Sequence, residues 1–150
     1  MRTYARLADL AALAGQEIGR SDWVAIDQSR IDLFAQATGD AQWIHVDPAR
    51  AAAGPFGTTV AHGFLTLSLL SELSAAAFAI EDVRMGLNYG LDRVRFPSPV
   101  PVGSRLRAMC VLDRFEPIEG GAQLTMTVTI EREGSAKPAC VAAWVTRHLV

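Results

Sequence analysis

Apolar residues follow two regimes along the chain, helical spacing in the first half and strand-like runs in the second. Between Tyr4 and Ala14, Leu7, Leu10 and Leu13 recur at helical spacing, and Gly15 follows, a residue suited to the left-handed conformation that ends helices. The pattern predicts a short amphipathic helix. After a brief strand over Trp23 to Ile26, Asp27 can cap a second helix that turns Ile31, Phe34, Ala35 and Thr38 inward and stops at Gly39. Phe64 to Ile80 is apolar on nearly every side, which predicts a buried helix. Four runs rich in β-branched residues come next: Leu87 to Phe96, Arg105 to Phe115, Gln123 to Arg132 and Ala139 to Leu149. Turn-forming segments at Pro97-Ser98-Pro99, Glu119-Gly120-Gly121 and Glu133-Gly134 separate them, so antiparallel hairpins are expected. Leu124 to Ile130 alternates apolar and hydroxyl side chains, as a strand does when one face packs on a helix. The fold class expected is α+β, one long buried helix wrapped by an antiparallel sheet.

Composition narrows the function. Half of the 150 residues are apolar, no repeat or long linker divides them, and a single domain spanning 1–150 is expected. A formal charge of −2 with no Lys/Arg-dense run argues against nucleic acid or an anionic membrane as a partner. The first residues are too short and polar for a signal or anchor, so a cytoplasmic location is expected. Cys110 and Cys140 stand alone in apolar stretches and read as buried, reduced thiols. With neither a nucleotide-binding glycine loop nor a metal-ligand cluster, no redox cofactor and no metal are expected.

The segment Gly39 to Val60 is long, irregular and rich in glycine, proline and polar residues, the kind of stretch that carries function. Within it, Asp47-Pro48 resembles a capped start of a short helix. Asp40 and His45 stand five positions apart and could share a water, since histidine titrates near neutrality and desolvation raises a carboxylate's pKa. On spacing alone, a turn-forming aspartate and a hydrogen-bonded histidine are the commoner outcome. Ala61-His62-Gly63 opens the apolar helix, where free backbone amides favour developing negative charge. Equally, Gly63 could simply permit close packing while His62 fills a gap in the turn.

Phe34-Ala35-Gln36-Ala37-Thr38-Gly39-Asp40, then His45, Asp47-Pro48 and Ala61-His62-Gly63-Phe64-Leu65, resembles the hydratase-2 motif of the MaoC-like dehydratase family. Phe96 to Gly103 is similar to the strand-turn that follows the helix there, so most of the chain is covered. The resemblance implies a hotdog fold, homodimers joined through paired sheets, and acyl-CoA thioesters as substrates, coenzyme A being part of the substrate and not a cofactor. It implies (R)-specific hydration of trans-2-enoyl-CoA, with Asp40 and His45 as the catalytic pair, the Gly63 amide receiving the thioester oxygen, and Ser71 near the aspartate. Either member of the pair could be the acid. The family's usual Asn-Pro is replaced by Gln42-Trp43, which resembles the nodulation-protein-N-like branch and leaves substrate choice open.

Gln42, Trp43 and His62 would then border the substrate. Asn88, beside Tyr89, could line the acyl pocket or a dimer seam, and Arg93 and Arg95 could meet the phosphates of coenzyme A or simply face solvent. Glu72 on the apolar helix offers a carboxylate to a competing activity, an acyl-CoA thioesterase. A catalytically inactive acyl-thioester-binding subunit is the third possibility, which Asp40, His45 and Gly63 together oppose.

Overall fold

The computed structural model describes residues 1–150. Strand β1 (Arg2–Tyr4) leads into a 3-10 helix (Leu7–Leu13) and then β2 (Gln16–Arg20) and β3 (Val24–Ala25). Helix α1 (Gln28–Thr38) is followed by two short helices, α2 (Trp43–Val46) and α3 (Pro48–Ala52). The central helix comes in two parts, α4 (Gly63–Ser68) and α5 (Leu70–Ala77), and runs into β4 (Phe78–Ile80). Four long strands complete the chain: β5 (Met85–Arg95), β6 (Arg105–Ile118), β7 (Gly121–Arg132) and β8 (Cys140–Leu149).

The main sheet is antiparallel in the order β2-β6-β7-β8-β5, with β3 also on β6, while β1 pairs in parallel with β4. A cluster of 26 buried residues fills the space between the sheet and the central helix. From the helix it takes Leu65, Leu69, Leu70, Leu73 and Ala77, and from β7 Leu124, Met126, Val128 and Ile130. Those four alternate with threonines, so the period-2 pattern turns one sheet face onto the helix. The predicted helix-and-sheet layout and all four long strands are present.

Two elements differ from expectation. Tyr4 to Ala14 is not an α-helix. Leu7, Leu10 and Leu13 are spaced by three, the period of a 3-10 helix, and Leu7 and Leu10 are buried in that form. Its start is held by the Leu7 amide, which donates to Asp82 at 2.8 Å. The apolar helix is neither buried all round nor helical to Ile80. Phe64 is 70 % exposed, and Ser68, Ser71, Glu72, Ala75 and Ala76 share its outer side. Phe78 to Ile80 instead pairs with Arg2 to Tyr4, a contact across the whole first half of the chain that no local pattern records.

The sheet holds the helix closely at one point. A Cβ at Gly19 would lie 2.6 Å from the Ala77 carbonyl oxygen, so only glycine lets β2 pass the end of α5.

Candidate active site

Helix α1 delivers Asp40. The Asp27 carboxylate accepts the Arg30 amide at 2.8 Å to start the helix, and Gly39 ends it at φ 79°, donating to the Ala35 carbonyl. That left-handed turn swings the chain out, leaving Asp40 exposed at the head of the loop. His45 follows on α2, only 7 % exposed. Its Nδ1 lies 2.6 Å from the Val60 carbonyl. Because a carbonyl oxygen only accepts, Nδ1 carries the hydrogen and Nε2 keeps a bare lone pair. Burial lowers the His45 pKa below the ordinary histidine value; the Val60 carbonyl and Asp40 act in the opposite sense, and His62 adds to the lowering. The ring is therefore neutral near neutral pH and holds a base at Nε2.

Gln28 steadies this arrangement from the first turn of α1. Its amide nitrogen donates to the His45 carbonyl and to Asp32, both at 2.8 Å, and its oxygen accepts from the buried Thr59 hydroxyl at 2.6 Å. Sequence reading missed Gln28, Thr59 and Val60, since nothing local marks a partner 15 or more residues away.

His62 is 2 % exposed, and its ring stacks on that of His45 with centroids 3.7 Å apart and planes 24° apart. Its Nε2 donates to the Asp40 carbonyl at 2.9 Å. One carboxylate oxygen of Asp40 and one nitrogen from each ring lie within 4.8 Å of one another. The stacked rings keep their in-plane lone pairs in planes 24° apart. Gly63 comes next as the first residue of α4, where a helix gives the backbone N–H no internal partner, and it is exposed. Phe96 covers it from the side, 3.4 Å from where a Cβ would stand. Asp40, His45, His62 and Gly63 thus form one constellation at the start of the central helix.

The flanking residues divide differently. Gln42 is exposed, and its carbonyl accepts the His45 amide at 2.9 Å. Trp43 is half-buried, packed against Gly54 and beneath the Arg50 guanidinium, 4.6 Å from the ring centroid. Ser71 and Asn88 meet in a separate cavity of about 360 Å³ that Ser74, Leu87, Trp144 and His148 also line. There the Asn88 side-chain oxygen accepts the Trp144 indole N–H at 2.8 Å. Arg93 and Arg95 share the sheet's outer face with Thr127, Val141 and Ala143, bordering a groove of about 380 Å³. Glu72 pairs with Arg30 at 3.2 Å. Both cysteines are buried free thiols, Cys110 pushed up to about 12 and Cys140 to about 11 by burial. No helix is long and apolar enough to cross a membrane.

A family model described as MaoC like domain matches residues 9–134. The chain is 57 % identical over 150 residues to 3-hydroxyacyl-thioester dehydratase Z of Mycobacterium tuberculosis, covering 99 % of each. It is 53 % identical over 144 residues to nodulation protein N of Rhizobium leguminosarum bv. viciae, covering 93 % of this chain and 89 % of that one. Among solved structures, the unliganded R-hydratase PhaJ1 from Pseudomonas aeruginosa superposes with a TM-score of 0.78 at 22 % identity, over 97 % of this chain and 86 % of its own. The chain belongs to the MaoC-like dehydratase family, in its nodulation-protein-N-like branch, an enzyme family of the hydratase and dehydratase class built on the hotdog fold.

Proposed function

We propose that the protein adds water to the double bond of a trans-2-enoyl-CoA to give the (R)-3-hydroxyacyl-CoA, and catalyses the reverse dehydration, with Asp40 and His45 as the catalytic pair. The observation that carries this reading is the fixed tautomer of His45: the Val60 carbonyl holds hydrogen on Nδ1 and leaves the Nε2 lone pair free, on a ring with one nitrogen within 4.8 Å of the Asp40 carboxylate. In hydration, water attacks the β carbon and gives a proton to His45 Nε2. Electron density moves onto the thioester oxygen, which the Gly63 amide receives. Asp40 then delivers its proton to the α carbon, and the proton taken up by His45 passes to the Asp40 carboxylate, which returns the pair to its starting state. These steps call for no metal and no cofactor, coenzyme A being part of the substrate.

Names of relatives support the substrate class, since both a 3-hydroxyacyl-thioester dehydratase and an R-hydratase resemble this chain. The Arg30 pair occupies Glu72, the carboxylate a thioesterase would need. Ser71 and Asn88 are proposed to border the acyl group, with Gln42, Trp43 and His62 around the catalytic pair and Arg93 and Arg95 as phosphate contacts. A homodimer in the cytoplasm, joined at the free edge of β5, is part of the same proposal.

The test follows the enoyl absorbance of crotonyl-CoA and of a longer trans-2-enoyl-CoA, with product configuration and free thiol assayed together. Asp40→Asn and His45→Gln are each expected to lower kcat by roughly 100- to 10,000-fold in folded protein. An inert wild type would sink the hydratase reading, and free thiol from a saturated acyl-CoA would replace it with hydrolysis.

A further inference from the structure

His62 is a buried histidine with three ties and one loose end. Its ring packs on His45 and, at 5.0 Å between centroids, on Phe34, and its Nε2 reaches the Asp40 carbonyl. Since that oxygen accepts only, the ring's hydrogen is on Nε2, and Nδ1 is left buried without a partner. A phenyl ring would fill the same space with no orphaned nitrogen. Packing alone therefore gives no reason for an imidazole; the Nε2–H bond does.

Asp40 depends on that bond. Its other hydrogen bonds, from its own amide to Thr38 and from the Gln42 amide to its carboxylate, are both 3.4 Å long, against 2.9 Å for His62. Lengths of 3.4 Å fall outside the range of well-formed N–H···O bonds. The loop is exposed from Gly39 to Gln42, and its other bonds of ordinary length hold Gly39 to Ala35, Ala41 to Gly39 and Gln42 to His45, so without His62 none of that length holds Asp40 itself.

We propose that His62 is a positioning residue for the hydration reaction: its Nε2–H anchors the backbone of Asp40 while its ring face holds the imidazole of His45, keeping acid and base at one separation. The inference rests on the hydratase reading above. It assigns His62 no contact with substrate; the residue acts through the two groups it ties together. Misplacing a reacting group by about 1 Å costs on the order of 100-fold in rate, while binding determinants elsewhere are untouched. The loss therefore falls on kcat and not on KM.

The experiment compares His62→Phe, His62→Gln and His62→Asn in the full chain, with kcat and KM measured on crotonyl-CoA and thermal unfolding recorded for each. Gln places an amide N–H near the position of Nε2, Asn reaches only as far as Nδ1, and Phe keeps the stack without any donor. His62→Phe is expected to lose about 100-fold in kcat with KM within about threefold of wild type, and His62→Gln to regain at least tenfold over His62→Asn. Should His62→Phe fail to fold, the Gln and Asn pair still decides. Equal kcat for Gln and Asn, a folded Phe variant with wild-type kcat, or a loss confined to KM would overturn the proposal. An inert wild type would instead strike the hydratase reading, which keeps the two failures apart.

Discussion

In the proposed reaction His45 must be neutral to accept a proton, and its surroundings lower its pKa for that purpose. Burial is the main cause, and the only charged or titratable neighbours acting on the ring are His62, which adds to the lowering, and Asp40, which opposes it. On the acid side, kcat/KM is expected to fall with an apparent pKa below 6.5, so activity persists into mildly acidic buffer. A pH–rate profile whose acid limb lies above 6.5 would show that another group is the base. The same shift has a consequence for stability. Below 6.5 the unfolded chain binds a proton that folded His45 resists, so stability is full above 6.5 and declines as pH falls towards the folded value. At this scale the sequence displayed the two groups proposed to react and hid what tunes them. Asp40 and His45 stand in one readable motif, whereas the Val60 carbonyl, the Gln28 amide and the His62 link to Asp40 arise only when distant segments fold together.

Helices with caps and strands with period-2 alternation were legible because their determinants are local. Asp27 and Gly39 bound α1 as their chemistry requires, and Asp47 starts α3 by accepting the Arg50 amide at 3.0 Å. Leucines spaced by three were ambiguous between the α and 3-10 forms, and the choice came from burial against the core and the Asp82 contact. β1, β2 and β4 were invisible, being short and paired with residues far along the chain. That long-range seam can be tested at Gly19. An alanine there would push its Cβ to 2.6 Å from the Ala77 carbonyl oxygen and 2.8 Å from its carbon, forcing β2 off the end of α5. Gly19→Ala is expected to cost about 1–3 kcal/mol in chemical denaturation. Gly90→Ala makes the control, because no atom lies within 4 Å of its Cβ and its φ is not positive; it should stay within about 0.5 kcal/mol of wild type. Equal effects at the two positions would remove the close approach as the cause.

For the whole molecule, the sheet order leaves β5 paired on one side only, with β8. Met85, Leu87, Tyr89 and Leu91 along it are 47, 42, 58 and 39 % exposed, an apolar free edge of the kind that monomeric proteins protect. The sequence announced this strand without its place at the edge, because strand order depends on pairings that no single segment contains. Pairing of two β5 edges would cover these side chains, and wild type is expected at twice 16.1 kDa in light scattering at micromolar concentration. A double substitution, Met85→Lys with Leu91→Lys, sets like charges against each other across the seam and should give a folded species of 16.1 kDa. A wild type already at that mass would dispose of the dimer. The monomeric variant also separates the roles of the two regions. Asp40, His45, His62 and Gly63 all come from one chain and are held by its own backbone, so their chemistry should survive dissociation. The cavity of Ser71 and Asn88, by contrast, borders β5 at Leu87 and would lose a neighbouring wall. The expected signature is a raised KM for the longer enoyl-CoA with kcat nearly retained; a collapse of kcat would mean that the partner completes the catalytic pair itself.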